Sequence, residues 1–366
     1  MKFVISTQEL IYLVSKCLNI VGLKTISPIL SNILIEAAHD ELSVTTTDLT
    51  VGIRCFADAK ILVEGATTLP ARKLAQLLKE LTAANLEFST SANEVTEILA
   101  DSSRFKMNGM NREEFPSLPE FKDAFHFTVE QPLLREMLYC TSFAVSREDN
   151  RYTLTGVNLS IANRIATFSG TDGKRLAKSH MEVDIDPAFQ GSFIIPLKAV
   201  DEIQKNLMDE GSATVYLMKD KIAVEAGQTT LITKLLSGEY PDIERIIPQN
   251  VEFSISLHRE ELMTLLRQIA LFTSDTNSVR FTFTHGTLQL NANTAEVGEG
   301  KVSMPVNYHG DKLEIAFNPG FFLDILRHSK GESITLGVTD GYNPGRITEE
   351  NSTAIFVLMP MRLNEE

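Results

Sequence analysis

Three stretches of the chain open on a short alternating segment and run straight into a helical one. Phe3-Val4-Ile5-Ser6 leads into residues 10–21, Phe127-Thr128-Val129-Glu130 into 133–141, and Phe253-Ser254-Ile255-Ser256 into 262–270. Alternation with period two marks a half-buried strand, while apolar residues at i, i+3, i+4 and i+7 mark a helix with one buried stripe. The first stripe is Leu10, Leu13, Val14, Cys17, Leu18 and Val21; the last is Leu262, Leu265, Leu266 and Ile269. The three leading phenylalanines stand 124 and 126 residues apart.

A second unit recurs with the same period: a strand, a proline, then a helix. Thr67-Thr68-Leu69-Pro70, Phe193-Ile194-Ile195-Pro196 and Ala316-Phe317-Asn318-Pro319 place their prolines 126 and 123 residues apart. Proline suits a helix start, where its missing N–H would be unpaired anyway. The first of these helices carries the stripe Leu74, Leu77, Leu78 and Leu81. Asp48 after Thr45-Thr46-Thr47 is matched 124 residues on by Asp172 after Ser169-Gly170-Thr171, and Phe115-Pro116 is matched 125 residues on by Tyr240-Pro241. So many agreements on one period imply three copies of one domain. Strand patterns such as Lys221-Ile222-Ala223-Val224-Glu225 and Val279-Arg280-Phe281-Thr282-Phe283, with turns at Asn108-Gly109, Ser237-Gly238 and His285-Gly286, outnumber the helices. The expected class is therefore α+β with antiparallel sheets and two helices per copy, not a βαβ alternation. The expected boundaries are 1–124, 125–251 and 252–366.

Composition narrows the function. The chain is 43% apolar and 22% charged, an ordinary globular balance. No tract approaches the apolar length that spans a bilayer, and polar residues interrupt the start too early for a secretory signal, so a cytoplasmic protein is expected. Cys17, Cys55 and Cys140 form no CxxC pair, and the seven histidines show no ligand spacing. Buried reduced thiols are expected, with no metal and no cofactor. The net charge of −14 argues against nucleic acid unless positive charge is concentrated somewhere. The six helical windows hold eleven Lys/Arg against eight Asp/Glu, so the helices carry +3 and everything else −17. Mixed charge on solvated helix faces has little meaning alone. It gains meaning if two chains close head to tail into a six-domain ring lined by twelve helices, which could touch a phosphate backbone through Lys and Arg without reading bases.

Five tracts in order make the chain resemble the beta subunit of bacterial DNA polymerase III, the replicative sliding-clamp family. They are Pro28-Ile29-Leu30-Ser31-Asn32, residues 66–73 (Ala-Thr-Thr-Leu-Pro-Ala-Arg-Lys), Thr171-Asp172-Gly173-Lys174-Arg175-Leu176, Tyr240-Pro241-Asp242, and residues 357–363 (Val-Leu-Met-Pro-Met-Arg-Leu). The likeness covers essentially the whole length. It implies a non-catalytic processivity factor built from three clamp-type domains. Two chains would form a homodimeric ring that encircles double-stranded DNA irrespective of sequence. An ATP-driven clamp loader opens such rings. They tether the replicative polymerase's catalytic subunit and other clamp-binding repair and replication proteins.

By the same resemblance, a cleft between the second and third domains binds partner peptides. Here it would comprise Leu154, Thr171, Gly173, Lys174, Arg175, Leu176, Pro241, Arg245, Ile246, Asn318, Phe321, Tyr342, Val357, Met359, Pro360, Met361 and Arg362. Lys174 and Phe321 stand where several members carry histidine and tyrosine. DNA contact would fall to Lys24, Arg72, Lys79, Arg151, Tyr152, Lys198 and Lys205; Glu148 would repel phosphate and is left out. The ring interface would set Lys73, Phe105 and Met107 of domain one against Leu271, Phe272, Glu296 and Glu299 of domain three.

Simpler readings stand beside these. Pro360 cannot continue a ladder interior, so Met361 and Leu363 are expected at the surface, where an apolar patch marks a binding site. Asp48 and Asp172 could be catalytic carboxylates, but an aspartate capping a turn explains both. Gly298-Glu299-Gly300-Lys301 lacks the earlier glycine and the following Ser/Thr of a phosphate loop. Two alternatives to a clamp remain at this point: a hydrolase using Asp172 with Lys174 or Arg175, and a peptide-binding scaffold that never holds DNA.

Overall fold

The computed structural model describes residues 1–22, 27–273 and 278–362. The first copy contains β1 (Lys2–Ser6), α1 (Thr7–Leu18), β2 (Asn32–Ala38), β3 (Glu41–Thr47), β4 (Val51–Asp58), β5 (Lys60–Val63), β6 (Gly65–Pro70), α2 (Ala71–Glu80), β7 (Asn85–Thr90), β8 (Val95–Ala100) and β9 (Ser103–Asn108). The second contains β10 (Phe125–Glu130), α3 (Gln131–Ser142), β11 (Gly156–Ala162), β12 (Ile165–Thr171), β13 (Arg175–Glu182), β14 (Gly191–Pro196), α4 (Leu197–Asn206), β15 (Ser212–Leu217), β16 (Lys221–Ala226) and β17 (Thr229–Lys234). The third contains β18 (Phe253–His258), α5 (Arg259–Ile269), β19 (Val279–Thr284), β20 (Thr287–Thr294), β21 (Gly298–Pro305), β22 (Leu313–Phe317), α6 (Pro319–His328), β23 (Ser333–Val338), β24 (Gly345–Thr348) and β25 (Ile355–Leu358). Apart from the small extra strand β5, each copy repeats strand, helix, four strands, helix, three strands.

The repeat and the compact units do not coincide. One unit joins Met1–Arg135 to Lys198–Leu235, and the other joins Glu136–Leu197 to Leu236–Glu366. The reason is main-chain pairing across copies. In the first unit β4 pairs antiparallel with β17, which fuses two four-stranded halves into the sheet β10-β15-β16-β17-β4-β3-β2-β6 beside β5-β1-β7-β8-β9. In the second unit β13 pairs antiparallel with β25, giving β14-β11-β12-β13-β25-β24-β23-β18 beside β21-β20-β19-β22. Two strands, β9 and β21, end their sheets on the sides where β17 and β4 meet in the other copies.

The helices bury the stripes that the periodicity marks. On α1, Leu10, Leu13, Val14 and Cys17 are buried against β3, β4 and α2, and Glu9 and Lys16 sit at the ends favoured by the helix dipole. Phe3 and Phe88 stack beside them with ring centroids 4.9 Å apart. In the second unit α5 packs on β20, β21 and α6. Phe281, Phe317 and Phe322, all fully buried, meet there at 5.3–5.7 Å. Each such side chain removed from water contributes roughly 1.5–3 kcal/mol. Asn318 caps α6 by accepting from the amides of Gly320 and Phe321 at 2.9 and 3.1 Å, with Pro319 in the first turn. All three cysteines are buried and free; burial pushes the Cys140 thiol up to about 11.

Candidate partner cleft and nucleic-acid contacts

The expected peptide cleft lies wholly within the second compact unit. Its core is the β12–β13 turn. Gly173 sits at φ +83°, a conformation that side chains disfavour. Asp172 Oδ1 accepts from the amides of Lys174 and Arg175 at 2.9 and 3.0 Å, while the Thr171 hydroxyl accepts from Gly173 N and donates to Arg175 O. Asp172 is thus consumed in capping the turn, as its sequence context suggests, and this removes the carboxylate the hydrolase reading needs. Among the described residues no group of three or more His, Cys, Asp or Glu could hold a metal ion.

Arg175 fixes this turn to the rest of the unit. Its guanidinium reaches Asp172 Oδ2 at 3.2 Å, Asp324 Oδ2 at 2.7 Å and the Phe143 carbonyl at 3.0 Å. It also lies over the Phe321 ring, 4.5 Å from its centroid. With its side chain only 10% exposed, Arg175 acts as scaffold rather than as a free donor. Asp324, three positions after Phe321 on α6, and Phe143 are the partners that residue-by-residue reading missed. The i, i+3 spacing of Phe321 and Asp324 was the signal available for one of them.

The floor is apolar: Leu176 and Val357, paired across β13 and β25, are buried with Ile243 and Ile247. Tyr240 closes it from the side, and burial raises its hydroxyl well above the usual range. Thr171 is buried too, whereas Leu154 and Asn318 are half-buried. Above the floor the chain runs out of β25. The Met359 amide donates to Lys174 O at 2.9 Å and the Met361 amide to Ala316 O at 2.8 Å, with Pro360 between them. Met359 is 39% exposed, Met361 is half-buried by its bridge to Ala316, and Leu363 lies outside the described residues. Exposed Ile246 and Tyr342 add apolar surface. Arg245 pairs with Asp242 at 2.9 Å in open solvent, and Lys174 and Arg362 are exposed. An apolar floor, a methionine rim and exposed cations suit a short peptide with apolar and acidic residues.

The cations expected at DNA are less free than their charge suggests. Arg72 donates to the Val21 carbonyl at 2.8 Å and Arg151 to the Asp172 carbonyl at 2.9 Å. Lys198 pairs with Asp48, and Lys205 with Glu202 at 2.7 Å. Lys79 is exposed and makes no ion pair among the described residues, and Tyr152 is exposed beside Arg151. Lys24 lies outside the described residues. Of the interface residues, Leu271 is 73% exposed, Phe105, Met107 and Phe272 are half-buried, and Lys73, Glu296 and Glu299 are exposed.

Family models match the chain three times in succession. DNA polymerase III beta subunit N-terminal domain covers residues 1–119, the central domain 128–242 and the C-terminal domain 244–362. The beta sliding clamp of Chlamydia pneumoniae is 54% identical across the whole of both chains. Among solved structures, the DNA polymerase sliding clamp of Bacillus subtilis superimposes with a TM-score of 0.95 at 27% identity, covering 99% of each chain. The DNA polymerase III subunit beta of Pseudomonas aeruginosa gives 0.95 at 28%, covering 99% of this chain and all of that one. The chain belongs to the DNA polymerase III beta subunit family, the bacterial sliding clamps.

Proposed function

We propose that two copies of this chain close into a ring around duplex DNA and, without catalysing a reaction, hold the replicative polymerase on it. The observation that carries the reading is the pair of orphan edges. Counting along the repeat, β21 is the third member of the series β4, β13, and β9 is the third of the series β17, β25. The first two series members pair inside the chain, β4 with β17 and β13 with β25. The third pairing, β21 with β9 of the partner subunit, is open only to a second copy. Made twice, it pairs both of these edges and closes with twofold symmetry. Carrying the register of Gly52↔Ile232 and Leu176↔Val357 onto these strands sets Glu299 opposite Lys106 of the partner subunit. It also brings Phe105 of the partner subunit to Gly300, beside Phe272 and Leu271.

The remaining assignments follow from that ring. Domain limits near 124 and 251 separate the copies. Arg72, Lys79, Lys198, Lys205, Arg151 and Tyr152 meet DNA weakly, with Lys79 the most available, and the acidic remainder disfavours DNA elsewhere. The 171–176 turn, β25 and the 359–362 segment receive polymerase and repair-protein peptides. The chain works in the cytoplasm, where a loader opens the ring.

The test is retention on nicked circular DNA at rising salt after loading. Phosphate contacts weaken steeply with salt, so a closed ring stays on the circle and leaves when the circle is cut. Equal loss from circular and linear DNA overturns the reading.

A further inference from the structure

The turn at the core of the proposed partner cleft recurs one copy earlier in the chain. We propose that the 47–52 turn, the 116–118 segment and the end of β17 form a second peptide-binding cleft, selective for a short acidic segment of another protein with one large apolar side chain. The proposal rests on reading the 171–176 cleft as a peptide site.

The two turns share five hydrogen bonds. Asp48 Oδ1 accepts from the amides of Thr50 and Val51 at 2.9 and 2.7 Å, as Asp172 does from Lys174 and Arg175. The Thr47 hydroxyl accepts from Leu49 N and donates to Val51 O, as Thr171 does with Gly173 and Arg175. The Lys234 amide donates to Thr50 O at 2.9 Å, which is the bond that the Met359 amide makes to Lys174 O, also at 2.9 Å. Phe115-Pro116 stands where Tyr240-Pro241 stands. All of this lies within the first compact unit.

The side chains differ in a way that reshapes and recharges the site. Where the first cleft has Leu176 in its floor, the second has Gly52 with Leu118 packed into the space a side chain would take, its Cδ2 2.5 Å from where a Cβ would stand. A cavity of about 300 Å³ remains between Leu49, Leu118 and Ile232, at the lower end of ligand-sized pockets. Leu49 occupies the position of Gly173, at φ +74° and 47% exposed. The turn imposes a left-handed conformation at this position, and a bulky apolar residue there carries a cost in free energy that glycine does not. Two lysines line the cavity and, among the described residues, no carboxylate does. Lys221 shares its charge with Asp220, which also feels the charge of Lys234, although the exposed Lys234 makes no ion pair among the described residues. Where the first cleft offers Met359, the second offers this ammonium. The occupant is therefore an extended segment whose carboxylate meets Lys234 while its apolar side chain fills the cavity.

The experiment is calorimetric titration of the full-length protein with the blocked peptide acetyl-Glu-Leu-Leu-Asp-amide. Two peptides bind per chain in the parent. Lys234→Glu, an exposed substitution, weakens one site about tenfold or more and leaves the other, while Met359→Glu does the reverse. One peptide per chain, lost with Met359→Glu and indifferent to Lys234→Glu, overturns the second cleft and leaves the first standing. One peptide lost only with Lys234→Glu supports the second cleft and removes the first. Equal binding of a peptide with lysines in place of the acids, or of none at all, overturns the proposal.

Discussion

Replacing Arg175 by alanine tests how the proposed partner cleft is held. The guanidinium, 10% exposed, serves two carboxylates and one carbonyl and covers the Phe321 ring. Breaking a buried pair by removing one partner costs roughly 3–5 kcal/mol when the other charge is stranded. Here the stranding is partial. Asp172 keeps the amides of Lys174 and Arg175, and Asp324 keeps Arg327 at 2.8 Å. The Phe143 carbonyl loses its donor, at about 1–3 kcal/mol, and the Phe321 ring loses a cation worth about 1 kcal/mol. The expected loss is therefore about 3 kcal/mol. Arg175→Lys recovers less than half, because one ammonium cannot span three acceptors in different directions. Urea unfolding followed by circular dichroism gives the stability, and hydrogen exchange across 172–182 locates it. A loss below about 0.5 kcal/mol, with the turn amides still protected, would refute this account of the cleft.

Two other outcomes follow from neighbouring contacts. Burial pushes the His328 ring below its ordinary value, although the Asp324 carbonyl, 2.7 Å from Nδ1, and the Asp324 charge act against that. The folded form therefore prefers the neutral ring, and the unfolded chain takes up the proton first. Stability is at full strength above about pH 6.5 and falls as pH drops through the folded value; His328→Gln flattens this slope in unfolding measured between pH 7 and 5, and an unchanged slope counts against the assignment. At the proposed ring seam, Lys106→Glu weakens dimerisation in sedimentation experiments by roughly tenfold, and adding Glu299→Lys restores it; failure of the double variant to recover refutes the register.

Much of the fold was legible because it is repeated. One copy's periodicity is weak evidence, but the alignment of Phe3, Phe127 and Phe253, and of Pro70, Pro196 and Pro319, placed both helices of every copy to within about three residues at each end. The caps on Asp48 and Asp172 were readable for the same reason. Pairing between copies was not readable, since a strand edge carries no side-chain signal for its partner; β4·β17 and β13·β25 therefore emerge only from the fold. The apolar surface expected at Met361 and Leu363 is found at Met359 and Tyr342, while Met361 is half-buried and Leu363 lies outside the described residues. Leu176 and Val357, cross-strand partners that share one face of the sheet, form the floor of the cleft with Ile243 and Ile247. The basic helix residues were legible as charge but not as available charge: Lys198 and Lys205 are paired with carboxylates from elsewhere in the fold or one turn away.

The pairing of β21 with the partner's β9 is tested most directly by a covalent bond across it. Lys106→Cys with Glu299→Cys places one thiol on each proposed edge, and the native Cys17, Cys55 and Cys140 are buried and out of reach. Oxidation should convert the protein into a covalent dimer of twice 40.7 kDa, linked at both seams. Loaded on circular DNA first, that dimer should stay on the circle in denaturant. A ladder of longer head-to-tail oligomers, or no cross-link at all, would contradict the closed ring.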